Sequence, residues 1–265
     1  MRVAERSDLR RVVATRYTLP LREGGSLPGL VEADDLGMYV VKFRGAGQGP
    51  KALVAEVIAG AVARAVGLRV PEHVLIDVDG ELARAEPDFE VQALLNASAG
   101  INLGVDYLPG ALDVSPSVDD VTSEEAADVL WFDALVQNVD RSWRNPNLLL
   151  WHRQMWLIDH GAALYFAHNW ASRDNAPTKP YAQAGEHVLI RRAGSVLDAD
   201  QRLASLVTEE VLAAAAAAVP DPWLASEPGF ADAEEVRTAY VTVLANRLVR
   251  RDAWLPEVED ARARV

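Results

Sequence analysis

The residues whose types and spacing could do chemistry crowd into one stretch, positions 133 to 161. Asn138, Asp140, Arg141, Asn145 and Asn147 follow the apolar segment Val129 to Val136. Leu148 to Trp151 then carries the chain away, His152 to Gln154 make a polar turn, and Met155 to Ile158 leads into Asp159-His160-Gly161. The pattern reads as loop, strand, hairpin, strand, with an acid at each end. Two carboxylates and an amide at neighbouring strand ends make a site for a hard divalent cation.

Several elements must position that cluster. Residues 11 to 21 are β-prone and run into the glycine-rich turn Arg22 to Gly29. Leu30 to Ala33 and Met38 to Phe43 read as strands around it and the turn at 34–37. Such a turn is either a plain hairpin or a cradle in which backbone N–H groups approach phosphates. Lys42 stands among apolar strand residues. The helical period of Leu53, Val54, Val57, Ile58, Ala61, Val62 and Ala65 predicts a helix over 51–66, with Glu56 beside its buried stripe. A glutamate there is tolerated when a cation meets it, so Lys42 and Glu56 either pair or are unrelated surface charges. Two strands, 73–78 and 81–85, are predicted around Asp79-Gly80, then a helix over 87–96 and a strand leaving into a loop at Asp106, Tyr107 and Leu108. Ser123 caps a predicted helix over 124–138. Residues 162–179 read as a loop, 186–193 as β or helix, and 199–219 and 231–251 as single helices. Arg247, Arg250 and Arg251 read as a solvated, dipole-complementary run at the end of the last helix.

The bulk numbers set limits. The chain has 265 residues, a formal net charge of −13 and no cysteine. The acidic balance argues against a nucleic-acid binder, while leaving room for a local basic pocket. Disulfides and thiolate chemistry are excluded. Met1 to Asp8 has no apolar core of signal-peptide length, and no run approaches the roughly 20 apolar residues of a membrane span. A soluble cytoplasmic protein without a membrane partner is expected.

Taken in order, the glycine turn, Lys42, Glu56, the loop at 106–108 (the crossover between lobes in a kinase) and the 138–161 stretch resemble the HipA-like kinases, relatives of protein kinases, aminoglycoside phosphotransferases and phosphatidylinositol kinases. The resemblance spans residues 15 to 250, and Asn138-Val139-Asp140-Arg141, Asn145-Pro146-Asn147 and Asp159-His160-Gly161 carry most of it. Ser142 replaces the histidine that follows the Asp-Arg pair in the family's namesake. The resemblance implies an α+β, two-lobed protein-kinase-like fold over 10–250. A small antiparallel β lobe with one main helix would cover 10–108, a mostly helical large lobe 109–250, and a C-terminal tail 251–265. It implies ATP- and Mg2+-dependent phosphoryl transfer to an alcohol. Lys42, oriented by Glu56, would hold the α/β-phosphates. Gly24, Gly25 and Ser26 would lie over the nucleotide, and Asp106, Tyr107 and Leu108 beside its base. Asp140 would deprotonate the acceptor, and Arg141 would steady the loop or the phosphoryl group. Asn145 and Asp159 would hold Mg2+, with Asn147, directly before the strand, competing with Asn145, which has the five-residue spacing from Asp140. A serine/threonine protein kinase is expected. The alternatives are a small-molecule or lipid kinase, and a nucleotide-binding pseudokinase acting as an interaction module. Ser26 is either an inhibitory phosphosite, by analogy with some relatives, or a turn serine bonding its own backbone.

Overall fold

Alternating burial along β1 (Arg11–Pro20) turns Val12 and Ala14 inward and their neighbours to solvent. The computed structural model describes residues 9–21, 27–47, 49–84, 86–114, 121–225 and 227–265, and the structure is described for these alone. β2 (Gly29–Ala33), β3 (Met38–Lys42), β4 (His73–Val78) and β5 (Gly100–Asp106) join β1 in the order β1-β2-β3-β5-β4. The sheet closes on itself because β1 pairs parallel with β4, Arg11 opposite Leu75 and Val13 opposite Asp77. The sequence led to a wholly antiparallel sheet; the closed barrel with one parallel seam differs from it. Val31, Tyr39, Val41, Val74, Ile76 and Leu95 fill the barrel.

Helix α1 (Pro50–Ala65) begins with a proline, whose fixed φ suits the first turn. Leu53, Val54, Val57, Ile58 and Val62 belong to the same core as Trp131 and Phe132, so α1 is apolar around most of its circumference. Asp79 accepts from the Glu81 N–H at 3.0 Å and starts a helical turn, α2 (Glu81–Arg84), in place of the expected hairpin and strand. α3 (Phe89–Ala97) is capped by Asp88.

β6 (Leu112–Asp113) precedes α4 (Ser123–Val136), whose cap is Thr122 rather than Ser123. α4 stops at Val136, because Gln137 adopts a left-handed conformation, φ 53°. That stop leaves Asn138 to Asn147 free to form a loop. β7 (Leu148–Trp151) and β8 (Gln154–Leu157) pair around His152 and Arg153, both left-handed, as a two-residue hairpin requires. Residues 186–193 form turns, tied to the loop by an antiparallel bridge between Ser142 and His187.

The span 199–219 is two helices, α5 (Val196–Leu203) and α6 (Glu209–Ala217), because Thr208 caps a new start. α7 (Ala233–Val249) follows, then α8 (Leu255–Ala263). Residues 251–265 are therefore not a trailing tail: Trp254 and Val258 are fully buried in the main core. Arg247 is also fully buried, a correction to the solvated run. Its guanidinium donates to Ala134 and Leu135 at the end of α4, to Ala176 and to Lys179, all carbonyls, within 2.7 to 3.1 Å. It complements the dipole of a helix other than its own. Among the described residues no helix is long and apolar enough to cross a membrane.

Candidate active site

Lys42 ends β3 with its Nζ turned toward α1 and the end of the β7–β8 hairpin. It pairs with Glu56, whose side chain is 1% exposed, and donates to Asp159 Oδ1 at 2.7 Å. Burial alone would lower the Lys42 pKa, but Glu56 and Asp159 outweigh it and raise it. Burial likewise works against the Glu56 carboxylate, and Lys42 holds it ionised. Asp159 takes a left-handed backbone, φ 57°, and keeps half of its side chain exposed. A carboxylate presented that way can reach a ligand while its other oxygen stays on the lysine.

The loop after α4 presents the second group. Asn145 donates its amide N–H to Asp140 Oδ2 at 2.8 Å, and Asn147 donates to the Asp140 carbonyl at 2.7 Å. Asn147, φ 49°, accepts from Ile158 N–H at 3.1 Å, so the hairpin sets it next to Asp159. Partial burial is the largest influence on Asp140 and raises its pKa; the Asn145 bond opposes this and the Asp159 charge adds to it. A carboxylate so shifted is a better proton acceptor than an ordinary one.

Arg141 points the other way. Its Nε donates to Asp133 Oδ2 at 2.6 Å inside the protein, and its fork also donates to the Asn147 carbonyl. Asp133 further accepts from Asn138 at 2.9 Å and contacts His187 Nε2 at 3.0 Å, while Tyr181 donates to the Asn138 carbonyl at 2.7 Å. Burial opposes the Asp133 charge, but Arg141 and His187 win and pull its pKa down to about 2. This cluster fixes the loop from beneath, and the structure places Arg141 there instead of at the cleft.

Gly24, Gly25 and Ser26 lie outside the described residues. At the crossover, the Asp106 and Tyr107 N–H groups donate to the Glu72 and Met38 carbonyls, and Leu108 is buried. A cavity of about 880 Å³ lies behind α1, lined by Val57, Ala61, Arg64, Asp106, Trp151 and Trp156 among others. Asp106 and Leu108 line it, and it holds none of Lys42, Glu56, Asp140 and Asp159.

A sequence model described as the HipA-like kinases matches residues 16–256. The chain belongs to the HipA-like kinase family. Among solved structures it is similar to CtkA, a proinflammatory kinase of Helicobacter pylori, with a TM-score of 0.56 and 12% identity over 94% of this chain and 98% of that one. At that identity the likeness shows a shared fold. Against the Golgi casein kinase with Mn/ADP bound, the TM-score is 0.42 at 13% identity, covering 91% of this chain and 73% of that one, which is too distant to support more. No curated protein matches the chain. By family the protein is a kinase, built on a mixed α/β fold.

Residue types and spacing assigned no role to Asp133, His160 or His187. Asp133 sits inside the run Trp131-Phe132-Asp133-Ala134-Leu135, and a lone acid in an apolar run signals a buried partner, as it did for Glu56. In this HipA-like kinase His160 is wholly buried, edge-on to Phe132, with Nδ1 3.6 Å from Glu56. Burial pushes its pKa down, so it packs as a neutral ring behind the Lys42–Glu56 pair.

Proposed function

We propose that the protein transfers the γ-phosphoryl group of ATP, with Mg2+, to the hydroxyl of a serine or threonine in a protein. The observation that supports this reading is the meeting of Lys42 with Glu56 and Asp159, beside a loop that presents Asp140. Kinase catalysis needs a cation for the phosphates, a metal carboxylate and a base, set in one cleft between two lobes. The barrel with α1 would be the small lobe and the remaining helices the large one.

The donors suit Mg2+. Among the described residues no three His, Cys, Asp or Glu side chains gather as a metal site, so a cage made by the protein alone is not what this cleft offers. The Asp159 carboxylate and the Asn147 amide oxygen are hard donors, and Mg2+ commonly completes its shell with phosphate oxygens and water. When bound, Mg2+ neutralises charge developing on the phosphates. Lys42 would steady the α/β-phosphates, with Glu56 holding its ammonium in place. Asp140, its carboxylate oriented by Asn145, would accept the hydroxyl proton. We assign the second metal contact to Asn147: both asparagines donate an amide N–H to Asp140, but the Ile158 bond sets Asn147 next to Asp159.

Thermal shift with Mg-ATP tests the reading. A ligand specific to the folded state raises apparent stability by mass action. The parent should shift, Asp159→Asn should lose the Mg-dependent part, and Lys42→Ala should lose most of the whole. No shift in the parent at millimolar Mg-ATP would end it.

A further inference from the structure

Lys51 occupies the first turn of α1, where a helix's own dipole disfavours a cation. That turn has no acidic residue, and Gly49 supplies no side-chain cap, so nothing local compensates. Lys51 is directed instead at the segment that follows Asp159. Its Nζ donates to the Ala167 carbonyl at 2.8 Å and stands 3.1 Å from Glu227 Oε2. Glu227, only 11% exposed, also accepts from the Trp170 indole N–H. Trp170 in turn packs edge-on against Phe166, Phe230 and Tyr240, with centroids 5.7, 5.0 and 4.9 Å away. The Tyr165–Thr178 segment is thus clamped between the start of α1 and α7.

Glu56 lies five residues beyond Lys51, roughly 7.5 Å along the same helix. Fixing the first turn of α1 therefore fixes where Glu56 meets Lys42. Many kinases bring that glutamate into place only after a phosphate in the segment following the metal-binding aspartate attracts nearby cations. Here the Glu227 carboxylate, largely shielded from solvent, stands against the cation already. The hydroxyls of Ser172 and Thr178 donate to the nearby Asn169 and Asn175 carbonyls, at 2.9 and 3.4 Å, and take no part in the clamp.

We propose that Lys51 and Glu227 are positioning residues for phosphoryl transfer: they hold α1 so that Glu56 orients Lys42, with no need for phosphorylation of the 165–178 segment. This rests on the phosphotransferase reading above. The test is a set of variants assayed for Mg-ATP affinity and turnover, beginning with a parent treated with phosphatase and shown phosphate-free by intact mass. The phosphate-free parent keeps its full rate. Lys51→Glu and Glu227→Lys each lower kcat/KM roughly tenfold, and the double swap regains most of it, as a direct charge pair requires. Lys51→Met behaves like the single swaps in the parent but adds no further loss in a Glu56→Gln background, since the effect is routed through Glu56. A merely structural pair would lower the melting temperature without moving kcat/KM, and that result overturns the proposal. So would a phosphate-free parent that loses activity, or a Lys51→Met loss that persists undiminished in Glu56→Gln. Absence of Mg-ATP binding in the parent would instead strike the phosphotransferase reading, which keeps the two failures apart.

Discussion

Two ionic clusters flank the loop that carries Asp140, and they are built to different ends. Lys42, Glu56 and Asp159 form one whose inner member is 1% exposed and whose outer member is half exposed. Asp133, Arg141 and His187 form the other, with all three side chains shut away from solvent. The first cluster leaves a carboxylate for a ligand to share. The second leaves no carboxylate to share: its acid is filled by Arg141, His187 and Asn138. Burying charge is costly in both places, so each must be matched closely. Around Asp159 the return is a carboxylate open to a ligand, and beneath the loop it is a fixed backbone.

If the inner cluster is scaffold, breaking it should destroy the fold before it touches any step. Asp133→Ala strands the Arg141 guanidinium without a counter-charge, and losing one partner of a buried pair costs roughly 3–5 kcal/mol. Urea unfolding should record that loss, or the variant should fail to accumulate as folded protein. A penalty below about 1 kcal/mol, the range of an exposed pair, would erase the distinction between the clusters.

Asp140, between them, should do the reverse. Asp140→Asn keeps the fold and holds ATP affinity within a few-fold, yet lowers phosphoryl transfer by roughly a hundredfold or more, the worth of a positioned base. Lys42→Ala should damage binding and rate together, because it removes a cation that meets the phosphates before and during the reaction. If parent and Asp140→Asn turn over equally, Asp140 is a loop carboxylate and no more.

Acid sharpens the same contrast. The Asp133 pKa is depressed from its ordinary value of about 4 to about 2, so its charge contributes stability that is fully present above pH 4 and is lost as pH falls through 2. A shift of that size is about 2–3 kcal/mol. The stability advantage of the parent over Asp133→Asn should therefore shrink across that window, while Glu56, common to both, cancels. A constant advantage from pH 5 to pH 2 would show that the aspartate charge is not what Arg141 holds.

What the sequence disclosed and what it hid follow from the same physics. Lys42, Glu56, Asp140 and Asp159 were legible because charged side chains that interrupt apolar elements at ends and edges stand out. β1 to β5 were legible from β-prone runs and the turns between them, and α1 from its helical period. The parallel closure of β1 on β4 was not, since strand pairing is a long-range choice that local alternation does not encode. The Asp79-Gly80 turn misled because an aspartate that can make a hairpin can equally cap a helix. Arg247 misled because its partners are backbone carbonyls far away in sequence, those of α4 more than a hundred residues off, without a charge to advertise them. Trp254 and Val258 alone were too short a pattern to reveal that α8 completes the core.

The smallest expected effect separates two asparagines that spacing could not. Asn145 donates to the Asp140 carboxylate, whereas Asn147 donates to the Asp140 backbone and stands beside the strand that ends at Asp159. An amide that orients a base affects the rate at saturating metal. An amide oxygen that binds metal affects how much metal is needed. Asn147→Ala should therefore raise the Mg2+ concentration for half-maximal activity roughly tenfold or more, the scale of losing a supporting metal contact. Asn145→Ala should leave that concentration unchanged and lower the plateau rate by only a few-fold, because Asp140 keeps its carboxylate and loses one neighbour. A magnesium titration of both variants distinguishes the roles, and the opposite pattern would restore the five-residue spacing from Asp140 as the better guide. Both variants keep the Asp133–Arg141 pair intact, so neither should move the urea midpoint as Asp133→Ala does.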